Sequence, residues 1–294
     1  MAQAHKDSAG IQLLYLDQLV RAGRPEDAES HLRGLIGAGH KLAVYYAKLA
    51  DVIQASSAKK TGAKPDSQAY EAARKVIQTG LEKLDDRKER AALMHKMAEV
   101  FELQGDWASA ANQARQIVKE FPDAALSWVR LGECLVHLKE YDEALASTRK
   151  AVEIDPSQFT AWNNMAWILA VQKRDLGQAR LYAQNALRLS PDHPMLLDTA
   201  AWVEYQLGDA DRAIELLERS VKTFEAANVP VSAVVRYHLG MAYKLRLDKA
   251  AADADRKRAR DEAVKNLKAY LQGEPSGEHA AEAQKLLKDL EGMQ

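Results

Sequence analysis

The stretch that decides the fold runs from Ala125 to Leu135, Ala-Leu-Ser-Trp-Val-Arg-Leu-Gly-Glu-Cys-Leu, and is followed by Ala144, Ala151 and Pro156. With Ala125 as position 1, the apolar and small residues fall at positions 4, 7, 8, 11, 20 and 27, and the proline at 32. Positions 4, 7, 8 and 11 make one stripe along a helix. The small residues at 8 and 20 let two helices approach closely. Pro156 ends the second helix, because proline cannot continue the hydrogen-bond ladder.

The same frame recurs on both sides. From Ala91 it gives Met94, Met97, Ala98, Phe101, Gly105, Ala110, Ala114 and Pro122. From Phe159 it gives Trp162, Met165, Ala166 and Leu169, then, after a one-residue insertion, Ala179, Ala183, Ala186 and Pro191. From Pro194 it gives Leu197, Ala200, Ala201, Gly208, Ala213, Leu217 and Ser220. The position-20 alanines at 110, 144, 179 and 213 are spaced 34, 35 and 34 apart. Four tandem copies in one frame resemble the tetratricopeptide repeat, a 34-residue helix–turn–helix unit.

The flanks follow the frame more loosely. Leu19, Gly23, Ala28 and Leu32 mark a first repeat; Tyr46, Leu49, Ala50 and Ile53 a second; Leu239, Gly240 and Tyr243 a last. The resemblance implies an all-α fold, a right-handed α-solenoid of about seven helical hairpins plus a C-terminal capping helix. The expected layout is a disordered segment 1–8, then one solenoid over 9–294. Its repeats lie near 9–42, 43–90, 91–124, 125–158, 159–193, 194–231 and 232–275, with a cap at 278–292. Ser, Lys, Gly62 and Pro65 mark a loop at 56–66 inside the second repeat. The surplus segment 250–260 contains neither breaker and reads as extra helical turns.

Composition agrees. The chain has 294 residues, 8 Pro and 15 Gly, and good helix formers dominate it. With 41 basic and 42 acidic residues, bulk attraction to nucleic acid is not expected. The basic run Arg256-Lys257-Arg258-Ala259-Arg260 is bracketed by Asp253, Asp255, Asp261 and Glu262, its helical neighbours. No apolar stretch approaches membrane-span length. The opening Met1-Ala2-Gln3-Ala4 lacks an apolar signal region, which fits a native start or the cut edge of a longer protein, and leaves the compartment open.

Motifs for catalysis, metal or cofactor are not found. There is no Gly-rich phosphate loop, no Gly-x-Ser-x-Gly elbow and no His-Glu-x-x-His helix. The histidines, His95 and His137 among them, lack metal-ligand spacing, and Cys134 has no neighbouring His or Lys to activate it. The expectation is a non-enzyme with no cofactor.

In the family this chain resembles, positions 2, 5, 9 and 12 of each first helix line the groove. Position 9 reads Asp17, Asp51, Glu99, Glu133, then Trp167, Trp202 and Met241. Position 5 of the last three repeats reads Asn163, Asp198 and Tyr237, and position 12 includes Tyr205. The carboxylates read either as a solvated face or as the seat of a basic ligand segment. The aromatics read as packing between first helices, as anchors for a partner, or as both.

The resemblance thus implies a protein or peptide partner in the concave groove, with basic and aromatic or apolar segments. Self-association as a structural assembly module is the alternative. The clamp by which some relatives hold acidic chaperone tails is missing: Asn164 is in place, but Val129, Glu133, Met195 and Thr199 occupy its other positions. The runs 161–170 and 196–202 are similar to bacterial tetratricopeptide proteins of exopolysaccharide export and surface-protein sorting. Glu204 departs from them, where an apolar residue is usual.

Overall fold

The computed structural model describes residues 2–292, with side chains described from Ala9 onward; of the segment 1–8, expected to be disordered, residues 2–8 belong to the first helix. The fold is all-α, with fifteen helices and no strand among the described residues. In chain order they are α1 (Ala2–Arg21), α2 (Pro25–Gly37), α3 (Ala43–Thr61), α4 (Ser67–Lys83), α5 (Arg87–Gln104), α6 (Trp107–Glu120), α7 (Ala125–His137), α8 (Tyr141–Ile154), α9 (Phe159–Val171), α10 (Leu176–Leu189), α11 (Pro194–Gln206), α12 (Ala210–Ala226), α13 (Ala233–Lys249), α14 (Asp253–Gly273) and α15 (Ala280–Glu291). That is seven consecutive pairs and a final single helix. The chain divides into two compact units, 1–139 with α1–α7 and 140–294 with α8–α15.

The frame residues do what their sizes dictate. Ala110, Ala144, Ala179 and Ala213 are all fully buried, as are Ala98, Ala166 and Ala201 at position 8. At Gly240, position 8 of the last repeat, an added Cβ would lie 2.8 Å from Leu267 Cγ on α14, so only glycine permits this approach. The N-terminal unit packs Leu16, Leu32, Leu49 and Ile53 in one cluster, and Tyr46, Ile77, Leu93 and Met97 in the next. Burying each such side chain stabilises by about 1.5–3 kcal/mol.

The helix ends are equally local in origin. Gly105 ends α5 at φ 81°, in the left-handed region, and the next residue, Asp106, caps α6 by accepting from Ser109 N. Gly208 and Asp209 repeat the device between α11 and α12. The position-4 tryptophans fasten each first helix to the turn before it: Trp128 Nε1 donates to Pro122 O at 2.8 Å, and Trp162 Nε1 to Pro156 O at 2.9 Å.

Two expected boundaries need correction. The expected loop 56–66 is helical as far as Thr61, and the break is confined to 62–66, between Gly62 at φ 65° and the Asp66 cap of α4. Ser56–Thr61 contains no breaker, so α3 continues through it, with Ser56 buried. Segment 250–260 is helical from Asp253, the start of α14, but the chain leaves the helix at 250–252 to reverse direction between α13 and α14. Nothing in Ala250-Ala251-Ala252 breaks a helix, so the reversal is imposed by the packing of α14 back onto Gly240.

Candidate aromatic face and the charged ladder

Each unit presents the position-9 residues of its first helices, with different neighbours. In the N-terminal unit they are acidic, and two lysines pair with three of them. Lys48 pairs with Asp17, and Lys96 pairs with Asp51 and, at 2.6 Å, with Glu99. Both lysines occupy position 6 of the repeat after the acid they reach. Arg130, position 6 of the fourth repeat, follows the rule more loosely, with Nε 3.6 Å from Glu102 and Nη1 donating to His95 O. Glu133, the last of the series, is exposed.

Lys96 is the best buried of these cations. Burial alone would lower its pKa, but the hydrogen bonds and charges of Asp51 and Glu99 outweigh that and hold it above the ordinary lysine value. The acidic face expected to seat a basic ligand is therefore matched from within. The matching lysines stand three residues before the acids in their own repeats, a spacing visible in the sequence once position 6 is read beside position 9.

In the C-terminal unit the first helices α9, α11 and α13 neighbour one another, and their face is aromatic. Trp202 stacks on His238 (centroids 4.3 Å, 26°) and on Tyr205 (4.7 Å, 15°), which makes it the middle ring of a stack. Trp167 leans against the same stack, 6.5 Å from Trp202 and 6.1 Å from His238. Trp167, Trp202, Tyr205 and Met241 are all half-buried. Burial raises the Tyr205 phenol pKa, and the charges of Glu282 and Asp248 raise it further.

The position-5 residues sit deeper. Asp198 is 4% exposed, and its Oδ1 is 2.8 Å from Nδ1 of His238, itself 1% exposed. A carboxylate only accepts, so Nδ1 carries the proton and the imidazole is locked flat beneath Trp202. Tyr237 is 2% exposed. Its ring lies parallel to His279 at 4.2 Å, and its hydroxyl donates to Glu282 Oε2 at 2.8 Å. The capping segment thus covers Tyr237, which together with Asp198 belongs to the interior and not to an exposed face. Burial, then the hydrogen bond to Glu282, pushes the Tyr237 phenol far up.

Asn163 is half-buried on α9. Its Oδ1, the neighbouring Asn164 Nδ2 and Trp202 Nε1 are buried with no hydrogen-bond partner among the described residues. Glu204, the departure from the usual apolar residue, is buried and gripped by both arms of Arg180, Nε donating to Oε1 at 2.9 Å. That bidentate pair is what makes a carboxylate tolerable there.

The residues weighed for chemistry have structural neighbours. Cys134 is buried, with Sγ directed to Glu102 Oε1, and burial followed by the Glu102 charge pushes its thiol up to about 12. His95 faces Ser127, and His137 lies flat on Trp107 at 3.6 Å. No helix among the described residues is long and apolar enough to cross a membrane.

The sequence matches the tetratricopeptide repeat family over residues 95–159 and 164–228. It is 23% identical over 195 residues to a tetratricopeptide repeat-containing protein, trd-1, of Caenorhabditis elegans, covering 64% of this chain and 25% of that one. It is 27% identical over 139 residues to an auxiliary subunit of the Arabidopsis thaliana N-terminal acetyltransferase A complex, covering 47% of this chain and 15% of that one. The chain therefore spans a quarter or less of these curated relatives. Among solved structures, a tetratricopeptide repeat protein from Parabacteroides merdae aligns over 97% of this chain and 100% of its own length, with TM-score 0.64 and 15% identity. A chain of the APC/C hetero-tetramer Cut9–Hcn1 aligns over 94% of this chain and 48% of its own, with TM-score 0.65 and 16% identity. At these identities the structural likeness speaks for the fold.

Proposed function

We propose that this chain, which matches the tetratricopeptide repeat family over residues 95–159 and 164–228 and shares the fold of a solved tetratricopeptide repeat protein, is a non-catalytic scaffold that holds a partner protein or peptide against the aromatic face of its C-terminal unit. Repeats of this kind generally mediate protein–protein interaction, and the finer assignment is our own. The observation that carries it is the half-buried set Trp167, Trp202 and Tyr205 on adjacent first helices. Amphipathic rings on a rigid frame anchor partners at low entropic cost.

The middle position of Trp202 divides the labour. Its faces are taken by His238 and Tyr205, so it supports the site, while Trp167 and Tyr205 meet the partner. Selection of a displayed random-peptide library on the full chain tests this. Selected peptides should lose about tenfold or more in affinity with Trp167→Ala, with far-UV circular dichroism unchanged. Peptides that bind Trp167→Ala and Tyr205→Ala as well as wild type would end the reading, as would a selection that yields none.

One observation favours the alternative, self-association. Ile11, Leu14 and Tyr15 form a patch on α1 and are 67%, 66% and 47% exposed. Light scattering at roughly tens of micromolar decides it, since apolar patches of this kind are common association sites: a monomer removes this reading.

A further inference from the structure

We propose that the partner meets this face with an arginine side chain, its guanidinium laid on the Tyr205 ring and hydrogen-bonded to Glu282. The inference rests on the docking reading above and names the chemistry that docks.

Tyr205 is the end ring of the stack. Trp202 covers one of its faces, and no other ring of the described residues stacks on it. Its surroundings carry surplus negative charge. Asp248 is held by Lys244, whose Nζ reaches both carboxylate oxygens at 2.6 and 2.5 Å. Glu282, in the first turn of α15, accepts only from the neutral Tyr237 hydroxyl and has no cationic partner among the described residues. Two carboxylates against one ammonium leave one negative charge beside the half-buried Tyr205 ring, whose phenol pKa is raised by burial and further by both carboxylates.

That combination selects the ligand. An apolar side chain laid over Tyr205 would strip water from Glu282 and give it no counter-charge, which is costly. An acidic side chain would be repelled. A lysine ammonium would supply charge, but it is compact and strongly hydrated. A guanidinium is flat, weakly hydrated and forked, so it can stack on the ring and hydrogen-bond to a carboxylate together. The chain uses the same chemistry elsewhere: Arg74 lies 5.2 Å from the Phe101 centroid, and Arg87 4.6 Å from that of Phe121. Both pairs are in the N-terminal unit. No guanidinium of the described residues lies on Trp167, Trp202 or Tyr205.

The peptides selected on the full chain should be enriched in arginine. Replacing that arginine by citrulline, its neutral isostere, should weaken binding about fivefold or more at low salt. The difference should shrink with added salt and largely vanish in Glu282→Gln, which retains an acceptor for Tyr237. Tyr205→Leu should reduce it likewise. Citrulline peptides that bind as tightly, or an arginine preference untouched by Glu282→Gln, would overturn the proposal. If such peptides still fail on Trp167→Ala, the docking reading survives and the arginine falls alone. If no peptide is selected, both fall.

Discussion

In the N-terminal unit, position 9 of the first helices carries Asp17, Asp51 and Glu99, and lysines meet them; in the C-terminal unit it carries Trp167, Trp202 and Met241, and rings meet the tryptophans. Both arrangements close the same geometric seam between neighbouring first helices. The charged version closes it with hydrated, partly exposed pairs, which contribute little to stability and offer a surface whose acids already have cationic partners. The aromatic version closes it with large apolar area and leaves half-buried rings and a carboxylate without a cationic partner among the described residues. One backbone pattern can therefore yield a spacer or a binding face, depending on which side chains finish the seam.

The comparison breaks first at Trp202. As the middle ring of a stack, it should cost about 3 kcal/mol when replaced by alanine, read as a lower urea midpoint for the C-terminal unit. A loss below about 0.5 kcal/mol would show that the stack is decoration. Arg180→Ala comes next, at about 2 kcal/mol, because it strands the buried Glu204 carboxylate. Arg180→Ala combined with Glu204→Leu should recover most of that loss, and failure to do so would place the cost elsewhere.

Effects in the charged unit should be smaller. Lys96→Met leaves Asp51 and Glu99 without their shared cation and should cost about 1 kcal/mol at low salt. Its pH dependence has a fixed sign. The folded-state pKa of Lys96 is raised, so the protonated form is favoured by folding. The stabilisation is present through neutral pH and is lost as pH rises through the alkaline range above 10.5. The gap between wild type and Lys96→Met, followed by urea titration, should narrow there; a gap that narrows toward acid pH before the carboxylates titrate would refute the assignment. Smallest is Asp17→Ala, expected within about 0.5 kcal/mol, since both it and Lys48 remain partly in water.

Much of the fold is legible because the frame is written in residue volume. Ala110, Ala144, Ala179 and Ala213 announce close helix contacts by their size alone, and their spacing supplies the period. What escaped is set by partners distant in sequence. No local signal ends α13 at Lys249, and nothing near Tyr237 says that His279 and Glu282, about forty residues on, will cover it. The aromatic face was legible as a set of positions, but the order within it was not. Whether Trp202 is outer or middle depends on His238, held by Asp198 across two helices. The lysines of the charged ladder were legible in principle; Lys48 and Lys96 stand at one fixed offset from Asp51 and Glu99 within their own repeats.

That fixed offset has a consequence for how the chain can change over generations. The second and third repeats each carry both halves of a bond, the cation at position 6 and the anion at position 9, and each cation reaches the acid of the copy before it. Removing the second repeat would bring Asp17 to Lys96 and leave every pair matched; duplicating it would do the same. The N-terminal unit is thus built from interchangeable parts and can gain or lose whole copies by recombination without stranding a charge. The C-terminal unit has no such freedom, because Asp198, Trp202 and His238 fit only one another, and its length is fixed by that dependence.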